Sequence, residues 1–327
     1  MISLQSTVMA DQAENTFPLL TYLDSLVEDL QKDTPKALRE FDVDAIHDSR
    51  VATRRLKAAT ELLAPVFHGE SSKKFEKALK KLRRSLGPLR DGDVMIEHLS
   101  DLKSETHAPA VNWLKDVLTA QRDEARANAS RTGPGKVLSK LAGWWELRDA
   151  VAESRDAVDS LLAQSVHLRL DAFIELTSQK VNPHELRIAG KSLRYTLEMA
   201  AEQGHKLPKS VLKTFKAIQE YLGAWHDNVV IVQTAMSKSL AAELVYKNMP
   251  LQQQLLNLSR LFATRAEKEF AKFEKMWISE GEDLATRIRE AFPLTTPVTE
   301  PKTDLDLPRS EESVNSEATP SDAPAGL

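Results

Sequence analysis

The sequence predicts an all-α protein, and three observations support this. Apolar residues recur at intervals of three and four, as at Leu19, Leu23, Leu26 and Leu30, which is the spacing of one face of an α-helix. No segment alternates apolar and polar residues over the length of a strand. The 327 residues include only 11 glycines, and 28% of them are charged, a composition typical of helix-rich proteins.

The first two helices have recognisable ends. The first is predicted from near Thr16 to between Lys32 and Pro35. The second is predicted from about Asp44, a residue type that caps helix N-termini, to Phe67.

A third helix is predicted from Ser72 to about Leu86 and is both amphipathic and basic. Gly87-Pro88 is expected to end it, because both residue types interrupt helices, and a further helix should then run to about Leu102. The basic face of the third helix is formed by Lys73, Lys77, Lys80 and Arg84.

The later helices are predicted in the same way. One covers residues 108–131 and ends at the breaker Gly133-Pro134-Gly135. Others cover residues 137–147 and 155–179. The next begins after Asn182-Pro183, a capping residue followed by a first-turn proline.

The most informative stretch begins at His47 and returns at His184, where both copies read H-x-x-R-[VI]-A-x-[RK]-x-L-[KR]. Offsets of 0, 3, 7 and 10 residues fall on one helix face. Like charges at these spacings weaken a helix by a few tenths of a kcal/mol per pair, so each copy indicates an anionic ligand. The first stripe is His47, Arg50, Arg54 and Lys57, and the second is His184, Arg187, Lys191 and Arg194.

A second motif, L-G-x-x-[RH]-D, also occurs twice, at residues 86–91 and 222–227. Its two copies are 136 residues apart, and those of the first motif are 137 apart. Two elements preserved at nearly one offset predict an internal duplication. Arg90 of the first copy is replaced by His226 in the second, and histidine is a cation only when it is protonated.

The predicted organisation is one duplicated domain between two irregular ends. Residues 1–15 form a flexible N-terminus. The domain covers residues 16–292, with repeat 1 at about 16–150 and repeat 2 at about 151–292. Residues 293–327 are rich in Pro, Ser, Thr and acids and predict a disordered tail. The tail carries a net charge of −5, so the rest of the chain carries +1 of the total of −4.

The paired motifs resemble those of the CHAD family, the conserved histidine α-helical domain, over about residues 16–292. The resemblance implies two pseudo-symmetric helical bundles around a central basic channel that binds inorganic polyphosphate. It further implies residence on polyphosphate granules, with granule-associated proteins as further partners, and the absence of cysteine fits a reducing cytoplasm. The triphosphate tunnel domain that many relatives carry has an E-x-E-x-K signature, and this sequence lacks that signature.

The resemblance assigns the two stripes to polyphosphate binding. Arginine offers a planar fork to phosphate and lysine a movable charge, while histidine binds best when protonated, near a pKa of about 6.5. Binding is therefore expected to tighten as the pH falls. Arg55 beside the first stripe and Arg90 and His226 of the second motif are further predicted ligands. The basic helix also fits an outer face of which only some cations reach the channel, and among its cations we predict Lys80 and Arg83 as ligands, with Lys216 as the counterpart of Lys80.

Simpler interpretations of the same residues stay open. The stripes also fit solvated faces that are paired with acids of neighbouring helices, and His47 and His184 also fit a role in positioning helix ends. Asp91 and Asp227 are interpreted as helix caps or arginine partners. A metal site on the two histidines is disfavoured, because cations rather than Asp, Glu or Cys surround them, so neither a metal nor a cofactor is expected.

Two other classes of function are weighed against polyphosphate binding. Nucleic acid is also a polyanion, but the basic segments contain few aromatics for base stacking. An enzyme is disfavoured because the sequence has no P-loop and no carboxylate cluster suited to Mg²⁺. A role as accessory subunit of phosphate or polyphosphate metabolism stays open. The sequence shows no secretory signal and no apolar stretch of membrane-spanning length, so no membrane partner is expected.

Overall fold

The computed structural model describes residues 17–179 and 183–294, and the regular secondary structure of this part of the chain is all helical, with no strand. The all-α prediction is therefore confirmed. Residues 1–15 and the tail from residue 295, whose order was predicted from composition, lie outside the described residues. The α-helices, in chain order, are α1 (Pro18–Pro35), α2 (Val43–Leu62), α3 (Gly69–Ser100), α4 (Ala108–Ser130), α5 (Pro134–Leu141), α6 (Trp144–Glu153), α7 (Arg155–Ser178), α8 (Pro183–Gln203), α9 (Lys209–Ser239), α10 (Ala242–Lys247) and α11 (Met249–Ala291).

The predicted break at Gly87-Pro88 is wrong, because α3 continues through it to Ser100. A proline inside a helix removes one backbone hydrogen bond and costs about 3 kcal/mol. Leu86 and Leu89, on either side of Pro88, are fully buried, and burying a leucine side chain contributes roughly 1.5–3 kcal/mol. Packing of the flanking leucines thus offsets the local penalty.

Both predicted ends of α2 also need correction. The N-cap is Asp42 rather than Asp44, since the Asp42 side chain accepts a hydrogen bond from the Ala45 backbone N–H at 2.8 Å. The helix ends at Leu62, five residues before Phe67. A proline at position 65 disfavours helical backbone at the preceding residue, which accounts for the early end.

The predicted helix over residues 137–147 is two helices, α5 and α6, which are separated at Gly143. A Cβ atom at Gly143 would lie 3.2 Å from the Lys140 carbonyl oxygen and 3.8 Å from that of Ser71 in α3. The chain therefore turns where its backbone approaches α3. Trp144, which begins α6, is fully buried against Phe75.

The buried apolar side chains form two clusters. The larger cluster includes residues of α1, α2, α3 and α7 to α9, together with the C-terminal part of α11. The smaller one joins the C-terminal parts of α3 and α9 to α4 and to the N-terminal part of α11. The helices α3, α9 and α11 therefore run through both clusters.

The two motif copies lie on equivalent pairs of helices. The first motif lies on α2 and the second motif of the same copy on α3, whereas the later copies lie on α8 and α9. This order is the one that an internal duplication would produce. The duplication and the division into two repeats stay predictions.

Candidate functional site

Arg50 of the first stripe connects α2 to α3. Its side chain is 7% exposed, and Nη2 donates to Asp91 Oδ1 at 3.1 Å. The guanidinium lies over Gly87 of α3, where an added Cβ atom would be 3.0 Å from Nη1. The glycine of the L-G-x-x-[RH]-D motif therefore leaves space for the arginine of the H-x-x-R motif. Asp91 is an arginine partner, in agreement with one of the interpretations from sequence.

The two motif helices are joined by one carboxylate, that of Glu198 in α8. Arg55 Nε in α2 donates to Glu198 Oε2 at 3.0 Å, and Arg194 Nε in α8 donates to Glu198 Oε1 at 2.7 Å. The first and second copies of the motif thus lie side by side. Arg55 and Arg194, both assigned to polyphosphate, already have this structural partner.

Lys57 at the far end of the first stripe is also paired. Its Nζ lies 2.7 Å from Glu61 Oε1, and Arg169 Nη2 of α7 donates to Glu61 Oε2 at 3.3 Å. Arg169 also donates to Ser192 Oγ of α8. Arg169 therefore belongs to the same cationic region, although it lies in neither motif and the sequence gives no signal for it.

The second copy places two histidine rings together. His184 at the start of α8 stacks on His226 of α9, with ring centroids 5.6 Å apart and planes inclined by 25°. His226 Nδ1 lies 3.2 Å from Asp227 Oδ1. His98 of α3 approaches the other carboxylate oxygen, with Nε2 3.7 Å from Asp227 Oδ2. His98 was not identified from the sequence, because a single histidine outside both motifs has no distinguishing pattern.

Asp227 is held in its charged form by these neighbours. Burial raises the pKa of Asp227, but the adjacent imidazoles of His226 and His98 and the charge of Arg187 outweigh it and leave the pKa below its ordinary value. The nearby Asp227 carboxylate raises the pKa of His98 against the opposing effect of burial. The Asp227 side chain is therefore ionised at pH values around neutrality.

Four sets of contacts between polar side chains join α2 to α3, α3 to α9, α9 to α8, and α8 back to α2. We call this closed series of contacts the motif circuit. Arg50 and Asp91 join α2 to α3, and His98 and Asp227 join α3 to α9. The stacked pair of His226 and His184 joins α9 to α8. Glu198, between Arg194 and Arg55, joins α8 back to α2. Polar residues from both copies of both motifs are thereby brought into one region.

The remaining assigned residues are less closely gathered. His47 is exposed, and Arg54, Arg187 and Lys191 are half-buried along α2 and α8. Arg83 and Arg90 of α3 are also half-buried. Lys216 of α9 is largely exposed, and its Nζ lies 3.7 Å from Glu220 Oε1 in the same helix.

Lys80 lines a cleft of about 780 Å³ between α3 and α4. Five cations face this cleft, together with the carboxylates of Asp91 and Glu124 and an apolar floor that includes Met95 and Leu118. Arg83 and Lys216 are not part of its lining. The lining cations are Lys77, Lys80, Lys81, Arg84 and Arg122.

Within residues 17–179 and 183–294 no three His, Asp or Glu side chains are grouped so that they could hold a metal ion. Over the same ranges no helix combines the length and apolar character that crossing a bilayer requires.

Comparison with known proteins agrees with the fold. The chain is similar to PptA from Streptomyces chartreusis, with a TM-score of 0.60 and 15% identity over 80% of this chain and 98% of that one. It is also similar to the CHAD domain from the plant Ricinus communis, with a TM-score of 0.52 and 21% identity over 84% of this chain and 90% of that one. No curated protein matches the sequence.

The family model described as CHAD domain matches residues 21–235. The match includes both copies of both motifs and every residue of the motif circuit. The chain is therefore a member of the CHAD domain family.

Proposed function

We propose that this protein binds inorganic polyphosphate without changing it chemically, through the cations of α2, α3, α8 and α9. The observation that carries the proposal is the motif circuit, which brings cations from the stripes of both copies, Arg50 of the first and Arg194 of the second, into one connected region. The CHAD domain family is associated with polyphosphate binding in general, which supports the same ligand.

The balance of charge in this region favours an anion. Among the permanent cations of the two stripes, Arg55 and Arg169, and the four carboxylates that interact with members of this set, eight positive charges stand against four negative ones, which leaves a surplus of four before any histidine is protonated. The carboxylates are Asp91, Glu61, Glu198 and Asp227, and the cations are Arg50, Arg54, Arg55, Lys57, Arg169, Arg187, Lys191 and Arg194.

The carboxylates also prepare the site for a ligand. An arginine that is already fixed by an acid loses less side-chain freedom when it meets a phosphate, and this lowers the entropic cost of binding. Arg50, buried beside Asp91, is fixed in this way. Polyphosphate repeats one anionic group along its length, so it needs a line of donors and no base-reading surface.

The proposal is tested by isothermal titration calorimetry with a polyphosphate of defined length at two salt concentrations. The variant Arg54→Gln/Lys191→Gln removes one cation from each stripe. The matched control Lys268→Gln/Lys275→Gln removes two exposed cations from α11. We expect the stripe variant to bind at least tenfold more weakly, the control to bind within about twofold of wild type, and wild-type affinity to fall steeply with salt.

Competition decides between polyphosphate and nucleic acid. Single-stranded RNA with the same number of phosphates should displace polyphosphate poorly, because the site supplies charges but few aromatic faces for bases. Equal competition by RNA would favour a general polyanion-binding protein. Equal affinity of the stripe variant and the control would disprove the proposed site.

The proposal includes a cytoplasmic location on polyphosphate granules and granule-associated proteins as further partners. A fluorescently labelled chain should coincide with stained granules in cells that contain them. The stripe variant should lose this localisation while the α11 control keeps it. Release of inorganic phosphate from polyphosphate by the purified protein, with or without Mg²⁺, would contradict the non-catalytic role.

A further inference from the structure

The cleft between α3 and α4 has a cationic end and an apolar end. The four cations that α3 contributes lie between Lys77 and Arg84, whereas its apolar lining residues, Pro88 and Met95, follow further along the helix. At a rise of 1.5 Å per residue, Lys77 and Met95 are about 27 Å apart along the helix axis. The cleft is therefore long enough to offer charges to one part of a ligand and an apolar surface to another.

The opposite wall, formed by α4, adds hydrogen-bonding groups. The side chains of Gln121 and Asn128 line the cleft and are exposed to a ligand, and each amide carries both donors and an acceptor. Arg122 lies in the same wall, and its Nε is held 2.5 Å from Asp93 Oδ1 of α3. Fixed cation, amides and apolar floor are thus side by side in this part of the cleft.

The corresponding face of the second copy is filled by aromatic side chains. At the 136-residue offset of the second motif, Ser85 of the cleft corresponds to Tyr221. The Tyr221 ring lies 5.8 Å from Lys272 Nζ of α11, and Trp225 packs against Phe270 of α11 with ring centroids 6.1 Å apart. A ligand that contacts both copies alike does not account for an open cleft in the first.

We propose that this cleft binds a nucleoside polyphosphate, with the phosphates at the cationic end, between Lys77 and Arg84, and the base at the apolar end beside Gln121. The inference goes beyond the proposed function, because the ligand is a small molecule and the site is a different one. The cleft and the motif circuit share Asp91, which lines the cleft and accepts from Arg50.

The distribution of charge orients such a ligand. The five lining cations and the two lining carboxylates leave a surplus of three positive charges, and a terminal phosphate group carries about −1.5 to −2 at neutral pH. Asp91 lies one turn before Met95 on α3, and Glu124 is next to the apolar Ala125 on α4. Both carboxylates therefore repel phosphate from the apolar end and favour its placement beside Lys77.

The apolar end matches a base. Its floor can cover the face of a planar ring, and a glutamine or asparagine amide can form two hydrogen bonds with N6 and N7 of adenine. The volume of about 780 Å³ lies within the range of small-molecule sites, roughly 300–1,000 Å³. A bare phosphate chain would use neither the floor nor the amides, so these features favour an adenine nucleotide over inorganic polyphosphate.

The test is calorimetry of the full chain with ATP, with inorganic triphosphate and with adenosine, in the absence of Mg²⁺, which would neutralise the phosphates. All three compounds are also titrated into the stripe variant Arg54→Gln/Lys191→Gln, so that binding of phosphate to the stripes is recognised. In this variant we expect ATP to bind at least about tenfold more tightly than inorganic triphosphate or adenosine. Its affinity for ATP should lie within about twofold of that of wild type.

Two variants separate the ends of the cleft. Lys77→Gln/Lys81→Gln removes two exposed cations from the lining and should weaken ATP binding about tenfold. The matched control Lys74→Gln/Lys103→Gln removes two exposed lysines outside the lining and should leave it within about twofold of wild type. Gln121→Ala should weaken ATP binding about threefold and leave the affinity for inorganic triphosphate unchanged, since triphosphate has no base.

A third variant, Ser85→Tyr, introduces the residue of the second copy and should fill the cleft. We expect it to bind ATP at least about tenfold more weakly than wild type while its helical circular dichroism shows that it is folded. Affinity for ATP equal to that of wild type in both Ser85→Tyr and Gln121→Ala would overturn the inference. Failure of wild type to bind ATP, or loss of ATP binding in the stripe variant, would overturn it too. The proposed function is judged separately, by the titrations with polyphosphate.

Discussion

Arg55 of the first motif copy and Arg194 of the second donate to the same carboxylate, that of Glu198, at 3.0 and 2.7 Å. One acid thus holds two like-charged side chains together across the contact between α2 and α8. Glu198 therefore has opposite effects on stability and on ligand binding. It stabilises the contact between α2 and α8, but it reduces the positive charge of the region that would attract an anion.

Replacing Glu198 should therefore change stability and affinity in opposite directions. We expect Glu198→Gln to lower the free energy of unfolding by about 1 kcal/mol, since both ion pairs are partly exposed. Polyphosphate binding at low salt should strengthen. Urea unfolding and calorimetry measure the two effects, with the exposed Glu202→Gln in the same helix as control. Weaker polyphosphate binding by Glu198→Gln would contradict this account.

The two equivalent glycines of the second motif should respond differently to alanine. At Gly87 a Cβ atom would lie 3.0 Å from Arg50 Nη1, whereas at Gly223 no atom beyond the local helix backbone lies within 4 Å of an added Cβ atom. We expect Gly87→Ala to displace the guanidinium and to weaken polyphosphate binding about fivefold, or roughly 1 kcal/mol. Gly223→Ala should leave affinity unchanged and stabilise α9 by about 0.5–1 kcal/mol. Similar affinities for both variants would show that the position of Arg50 does not matter for binding.

The contact between His98 and Asp227 should make stability depend on pH. The pKa of His98 is raised by Asp227, so its contribution is fully present below the unfolded-state pKa of about 6.5 and is lost as the pH rises through the folded-state pKa. The pKa of Asp227 is lowered, so its contribution is present above about pH 4 and is lost in stronger acid. The pair therefore contributes most between about pH 4 and 6.5.

We expect His98→Gln to be less stable than wild type at pH 5.5, by a few tenths to about 1 kcal/mol because the pair is partly exposed. At pH 8 the difference should shrink. Chemical unfolding at both pH values measures it, and an equal difference at pH 5.5 and pH 8 would mean that the charge of His98 plays no part.

Two adjacent tryptophans provide a test of the core. Trp144 is fully buried, and its indole N–H donates to Asp24 Oδ1 at 2.8 Å, whereas Trp145 is 43% exposed. Trp144→Phe loses that hydrogen bond and leaves space in the core, and it should lower the free energy of unfolding by about 2 kcal/mol or more. Trp145→Phe should change it by less than about 0.5 kcal/mol. Thermal unfolding compares the two variants, and equal losses would contradict the packing around Trp144.

The sequence predicted the helices and the motif pairs well, because both leave a local pattern. It failed at Gly87-Pro88, where burial of Leu86 and Leu89 overrides the tendency of the pair to end a helix. Propensity describes a residue and its neighbours in the chain. Packing depends on residues that are distant in the sequence.

The same limit applies to the site. The stripes could be listed from their spacing, but Glu198, Arg169 and His98 could not, since each acquires its importance from a partner more than 100 residues away. A glutamate in a chain with 48 acidic residues has no mark that identifies it as the partner of two arginines. Only the folded arrangement reveals which acids fix the cations.

The helix α11 has a consequence for how the domain unfolds. Its 43 residues extend over about 65 Å, and it places Phe262 in the smaller apolar cluster and Phe273 in the larger one. Separating either cluster from α11 would expose the apolar face of this one continuous helix to water. The two clusters are therefore expected to unfold together in one cooperative transition, although they are separate groups of buried side chains.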